Sequence, residues 1–357
     1  MGGDGDAGNC RNQKILNMKE FLNAALERRR QLCDEAQARL GLRAASIEKD
    51  FWVCWTLREL FSLPGCGAHL TFKGGTSLSK GWKLIERFSE DIDVVMEREF
   101  LGFGGGKSPE NAGSKKQQEK RLEELKLACQ QRIQDSLKPE LEKRFHDVLP
   151  KGTKWDLVDD ADDADGQTLL FHYPSASADA AYIRPVVKIE LGARSDTEPC
   201  GTPQIQPYLK EAFPELFGEA SFAIRTVEPV RTFWEKAMLL HEETFRKSSG
   251  GPKVRLARHY YDLWCLIKKG VAEKAMNDSE LFKRVAAHRA VFFRKSKEAQ
   301  ESLRPGALRL IPLPDQLPAW KQDYQSMSEA MFFGEVPAFD EILRVVGDFE
   351  KRFNKTS

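Results

Sequence analysis

The sequence predicts an α+β protein, with a mixed sheet flanked by helices in its first part and an α-helical C-terminal part. Three observations predict it. Apolar runs with strand character (69–72, 91–96, 154–158, 168–173 and 182–191) all fall before residue 230. A glycine pair, Gly74-Gly75, separates the first run from a short helical stretch. From Thr232 onward the apolar spacing is mainly helical, with breaks at 248–252 and around Pro305–Pro318. The expected organisation is a flexible tail over 1–14, an α/β domain over 15–230 and a helical domain over 231–357.

In chain order, Phe21, Leu22, Ala25, Leu32, Ala36 and Leu40 give residues 18–40 a helical face, with Gly41 as C-cap. A second helix is expected over 46–61 with Ser46 as N-cap; its Phe51, Trp52 and Trp55 suit packing. Next come a turn at 63–67, a strand at 69–72, the glycine turn, a helix to about Leu84, and a strand over 91–96. Residues 102–120 are rich in Gly, Ser and Lys and read as a flexible insertion leading into a charged helix over 115–146. The acidic run 159–166 reads as a turn between two strands.

Composition bounds the function only loosely. The 357 residues are 41% hydrophobic, enough for a sizeable core, and 55 basic against 54 acidic residues leave a net charge of +1, so overall charge points to no partner. A local basic stretch from Arg246 to Lys269 holds one acid, Asp262; it suits either phosphate contact or an exposed helix and loop. Seven scattered cysteines without CxxC spacing fit a reducing compartment, and no apolar segment approaches a membrane span, so the expected location is the cytoplasm.

The chemistry concentrates at 72–93. On a strand, residues two apart share a face, so Asp91 and Asp93 would project together while Ile92 points into the core. Two hard oxygen ligands on a rigid edge suit Mg²⁺ or Mn²⁺, which complete their shells with water and substrate phosphates. Glycines between strand and helix let a phosphate approach Gly74 and Gly75, next to the free N–H groups of a helix start. Lys73, Thr76, Ser77, Lys80 and, from the basic stretch, Arg258 add cations and hydroxyls. The plainer reading is a structural turn followed by a surface-facing acidic strand end. Glu190, in a strand whose Val187, Ile189 and Leu191 fill the other face, is the candidate third carboxylate; the alternative is a solvent-facing pair with Lys188. In the C-terminal part, Lys236 and Asp262 lie on apolar helices, and Arg258 and Asp262, four apart, could pair on one face. Gly104-Gly-Gly-Lys-Ser108 lacks the first glycine of a P-loop, and the run ending at Gly166 lacks an EF-hand ligand set.

Several segments together resemble the AbiEii/AbiGii nucleotidyltransferase toxins: Ile47-Glu-Lys-Asp-Phe51, Phe72-Lys-Gly-Gly-Thr-Ser-Leu78, Arg87-Phe-Ser-Glu-Asp-Ile-Asp93, Val187-Lys-Ile-Glu190, Glu235-Lys236, Tyr261-Asp-Leu-Trp264, and a tail with Trp320, Asp323 and Tyr324. The resemblance implies a DNA polymerase β-like core with a helical C-terminal domain, an NTP substrate and Mg²⁺. It assigns the triphosphate to Gly74, Gly75, Thr76 and Ser77, the metal to Asp91 and Asp93, and nucleotide contact and catalytic support to Lys236 and Asp262. It further implies the toxin of a two-gene toxin–antitoxin or phage-abortive system, and some members of the family add nucleotides to the 3′ end of tRNA. The acceptor expected here is a tRNA 3′ end or a protein, with a cognate antitoxin as a further partner. The reaction expected is transfer of an NMP to a hydroxyl, with Asp91 and Asp93 binding two Mg²⁺, Glu190 completing the site or orienting the attacking hydroxyl, Lys236 neutralising phosphate charge, and Asp262 orienting Lys236 or Arg258. The alternatives are γ-phosphate transfer by the same site, and a nucleotide-binding regulator without catalysis.

Overall fold

The computed structural model describes residues 18–177, 184–218, 220–246, 255–293, 296–332 and 336–355. The tail expected over 1–14 and the break at 248–252 lie outside them. Helices α1 (Met18–Asn23), α2 (Leu26–Leu40) and α3 (Ala44–Phe61) come first. The helix expected over 18–40 is broken after Asn23, and α3 starts two residues early, with Arg43 rather than Ser46 as N-cap. Gly41 caps α2 in the left-handed conformation (φ 69°), its N–H returning to the Gln37 carbonyl.

Strand β1 (Leu70–Lys73) runs into a single helical turn, α4 (Gly74–Thr76), and a wider turn over Ser77–Gly81. The helix thus ends at Gly81, earlier than expected. The chain returns as β2 (Ile92–Met96), so Asp91 sits one residue ahead of the strand. Residues 105–111 form two tight turns, tied down where Arg98 bonds Glu110 and Arg121 bonds the Ser108 carbonyl. The expected 115–146 helix is α5 (Lys115–Arg132) and α6 (Lys138–Val148), joined by a widened turn. Then follow β3 (Asp156–Asp159), the acidic turn, β4 (Thr168–His172), β5 (Val186–Gly192), β6 (Cys200–Gly201), β7 (Gln204–Ile205), α7 (Tyr208–Ala212), β8 (Phe222–Ala223) and β9 (Thr226–Val227).

One seven-stranded mixed sheet results, in the order β3-β4-β5-β2-β1-β9-β6. β5 alternates Val187, Ile189 and Leu191 inward with half-buried Lys188 and Glu190, the period-two pattern of a sheet with one covered face. That face packs on α3, whose Trp52 and Trp55 meet Phe171 edge-on and tilted; the expected packing role of these aromatics holds.

The C-terminal helices are α8 (Pro229–Thr244), α9 (Arg258–Lys268), α10 (Val271–Met276), α11 (Ser279–Phe292), α12 (Lys297–Glu301), α13 (Leu317–Met331) and α14 (Phe339–Asn354). They enclose a second core around Phe233, Trp234, Tyr260 and Phe349, which Leu78 and Ile85 from the first half join. Among the described residues no helix is long and apolar enough to cross a membrane.

Candidate active site

The strand register lines up the site. Lys73 of β1 lies opposite Asp93 of β2, and Asp93 lies opposite Glu190 of β5. Residues facing each other across neighbouring strands share a sheet face, so one cation and two carboxylates form a row. The chain turns at Gly74 with φ 81°, and a Cβ there would sit 1.9 Å from Asp93 Oδ2. Gly75 leaves room for the Arg87 guanidinium and the Ser89 hydroxyl, which its Cβ would meet at 2.6 and 2.8 Å. At Gly74 backbone conformation and close approach both call for glycine, and at Gly75 a Cβ would have to displace the ends of the Arg87 and Ser89 side chains.

Asp91 is fixed through its backbone. The Thr76 hydroxyl donates to the Asp91 carbonyl at 2.6 Å and lies 2.9 Å from the Ser89 hydroxyl. Beside it, the buried ammonium of Lys49 on α3 holds Glu90 at 2.6 Å. The glycine turn, α3 and the acidic segment are therefore tied together.

A cleft of ≈ 300 Å³ runs between this row and the C-terminal helices. Its sheet side carries Lys73, Gly74, Gly75, Asp91, Asp93 and Glu190, with Arg87, Ser89 and Ser195 beside them. On α8, Thr232, Glu235, Lys236 and Leu239 line it, a spacing that places them on one helix face. Arg258 and His259 line it from α9, and His288, Arg289 and Phe293 from α11 and its end.

Below the cleft lies a buried ion network. Asp262 accepts two bonds from Arg87, from Nε at 2.7 Å and Nη2 at 2.8 Å, and contacts Lys236 Nζ at 2.9 Å. Burial alone would raise the Asp262 carboxyl, but Arg87 and Lys236 hold it far below the usual carboxylate range. Lys236 Nζ also donates to His259 Nδ1 at 3.3 Å. Burial lowers the Lys236 ammonium against the pull of Asp262. Burial, then Lys236 and Arg258, push His259 well below its ordinary value, so its ring is neutral at pH 7.

The acids facing the cleft are poorly neutralised. Burial, then Asp93 and Glu90, raise Asp91 above the usual range; burial, then Asp93, raise Glu190, with Lys188 at 3.2 Å opposing. Among the described residues, Lys73 and Arg258 have no ion-pair partner.

Three sequence expectations are corrected. Lys80 does not reach the cleft. It is 3% exposed, 2.7 Å from Asp50 on α3 and over the Tyr208 ring, because its short helix turns it into the core behind the sheet. Thr76 and Ser77 bring no free hydroxyl to a ligand: Thr76 is committed to Asp91, and Ser77 donates to the Gly74 carbonyl at 2.9 Å. Asp262 does not pair with Arg258 along α9; it turns inward to Arg87 and Lys236. Glu190 fits both of its readings, since it pairs with Lys188 and also lines the cleft. Sequence reasoning gave no role to Arg87 or His259. Two signals were available: Arg87 stands just ahead of the acidic pair, and His259 shares a helix face with Asp262.

A family model described as the nucleotidyl transferase AbiEii toxin of type IV toxin–antitoxin systems matches residues 55–345. Among solved structures, the chain is similar to MenT4, a nucleotidyltransferase toxin from Mycobacterium tuberculosis H37Rv (17% identity, TM-score 0.41, covering 91% of this chain and 88% of that one). It is also similar to JHP933 from Helicobacter pylori (13% identity, TM-score 0.34, covering 86% of this chain and 94% of that one). No curated protein matches. With its model spanning most of the sequence, the chain belongs to the AbiEii family of nucleotidyltransferase toxins.

Proposed function

We propose that the enzyme moves an NMP from an NTP to an acceptor hydroxyl, with pyrophosphate leaving, and that the cleft under Gly74 is where it does so. The observation that carries this reading is the contact of Gly74 with Asp93. It sets a glycine bend able to admit a phosphate directly against a carboxylate, with Lys73, Lys236 and Arg258 around the same cleft.

Mg²⁺ or Mn²⁺ fits this donor set. Burial, and after it the neighbouring acids, raise Asp91 and Glu190, so a cation between these carboxylates would favour their ionised forms. Among the described residues no three His, Cys, Asp or Glu side chains gather closely enough to hold a metal, so Asp91, Asp93 and Glu190 do not form the three-ligand set expected of them. An ion here would be held by one or two of these carboxylates, with substrate phosphates and water supplying the rest. Asp91 and Asp93 are the proposed ligands, with Glu190 beside them. When bound, the metal supplies charge neutralisation at the transferring phosphoryl group.

The chain's own residues do the remaining work. Gly74 and Gly75 let the triphosphate approach the backbone. Lys73 and Arg258 meet its outer oxygens. Lys236, aimed by Asp262, neutralises charge that grows on the phosphates as the bond to the leaving group breaks. The division into an α/β unit over 15–230 and a helical unit over 231–357 is part of this proposal, as its two units would supply opposite walls of the cleft. As the toxin of a type IV system, serving phage defence with a cognate antitoxin, the enzyme would act on a tRNA 3′ end or a protein. The insertions at 102–120 and 159–166 are candidates for acceptor choice.

The test is to supply each NTP labelled on the α- or γ-phosphate with total RNA and total protein. Nucleotidyl transfer predicts that only the α-label enters an acceptor. Entry of the γ-label alone would mean phosphoryl transfer and end this reading.

A further inference from the structure

An ammonium has three protons to donate and no acceptor site, so its direction is set by what it is bonded to. Lys236 Nζ has two fixed partners, Asp262 Oδ2 at 2.9 Å and His259 Nδ1 at 3.3 Å. Both partners come from α9, three residues apart and so on one helix face. Asp262 is itself immobilised by the two bonds from Arg87, whose side chain is 2% exposed. Lys236 lines the cleft, and so does His259. With two protons engaged on the α9 side, one remains for the cleft.

We propose that His259 is a positioning residue: its neutral Nδ1 accepts from Lys236 and, with Asp262, aims the third proton of that ammonium at the substrate phosphates. The inference rests on the reading of Lys236 given above. Because a lysine ammonium can only donate, Nδ1 must keep its lone pair, so the ring proton sits on Nε2. An imidazolium would turn Nδ1 into a donor and place a cation among Lys236, Arg258 and Arg87. Those groups, with Asp262 opposing them, form the electrostatic surroundings of the ring. Asp262 fixes the position of the lysine head, and His259 fixes its rotation about the Cε–Nζ bond. An interaction that matters only when phosphate charge develops belongs to kcat more than to KM.

The test compares His259→Leu, His259→Asn and Lys236→Ala, each checked for folding by thermal melt. Asparagine places an acceptor oxygen near the Nδ1 position, and leucine fills the space without one. The expected results are a kcat reduced about tenfold or more in His259→Leu, KM for NTP changed less than about threefold, and most of the loss recovered in His259→Asn. Nitrogen NMR of the wild-type ring at neutral pH should show an unprotonated Nδ1 and a protonated Nε2. Full activity in His259→Leu with Lys236→Ala inactive would overturn the role of His259. So would an Asn variant as impaired as Leu, or a ring protonated on Nδ1. Full activity in Lys236→Ala would instead overturn the reading on which the inference rests.

Discussion

Gly74 and Asp93 are in contact: the Cα of the glycine bend lies against the carboxylate, and a methyl group on it would come within 1.9 Å of Oδ2. The bend that would admit a phosphate and the acid that would hold the metal are thus one mechanical unit, set by the Lys73–Asp93 register of two neighbouring strands.

Substitution Gly74→Ala therefore meets two obstacles, the left-handed backbone and the displaced carboxylate. It should lower stability by about 1–2 kcal/mol and reduce transfer by about a hundredfold or more. Urea unfolding and label incorporation measure the two effects separately. An Ala variant with near-normal turnover would show that Asp93 need not be where the structure places it.

The raised Asp91 carboxyl makes a pH prediction. Its folded value lies above its unfolded value, so the folded state binds the proton more tightly. Stability is then favoured at acid pH and lost as pH rises through the raised value. In chelator, the wild-type melting temperature should carry a downward contribution as pH rises from the ordinary carboxylate range through the raised Asp91 value, and Asp91→Asn should lack it. Adding Mg²⁺ at neutral pH should raise the wild-type melting temperature and leave Asp91→Asn nearly unchanged. Equal metal responses would remove Asp91 from the ligand set.

Asp262 behaves oppositely, because Arg87 and Lys236 hold its carboxyl down. Its stabilisation is present above the ordinary carboxylate range and is lost only as pH falls through the depressed folded value. Replacing it with Ala strands two buried cations and should cost about 3–5 kcal/mol, read as a lower denaturation midpoint. A shift under about 1 kcal/mol would mean that the network carries little of the fold.

Two lysines that look alike in the sequence should separate by assay. Lys80 is buried on Asp50 and away from the cleft, whereas Lys73 faces it. Lys80→Met should lower stability by about 3 kcal/mol and leave turnover per folded molecule within about twofold. Lys73→Met should leave stability nearly intact and raise KM for NTP about tenfold. The reverse pattern would contradict the geometry.

Much of this site was legible because it is local. Asp91, Asp93 and the glycine pair lie within one strand–turn–strand segment, where period-two alternation and glycine chemistry act over a few residues. Glu190 reads as a cleft-facing candidate because an alternating strand shows which side chains share a face. The direction of Lys80 was not legible: it depends on where Asp50 of a distant helix comes to rest. Arg87 and Asp262 are 175 positions apart, and only tertiary packing reveals that each neutralises the other. Helix ends were also misplaced. α3 begins at Ala44 with no side-chain cap, so the serine expected to mark its start could not locate it.

The measurement that bears most directly on the central claim is incorporation of α-labelled nucleotide by Asp93→Ala, set beside wild-type protein in the same Mg²⁺ buffer, with both shown to be folded by thermal melt. The account predicts label transfer by the wild type and a loss of about a thousandfold or more in the variant, with the melting temperature retained or raised. Continued incorporation by the folded variant would contradict it.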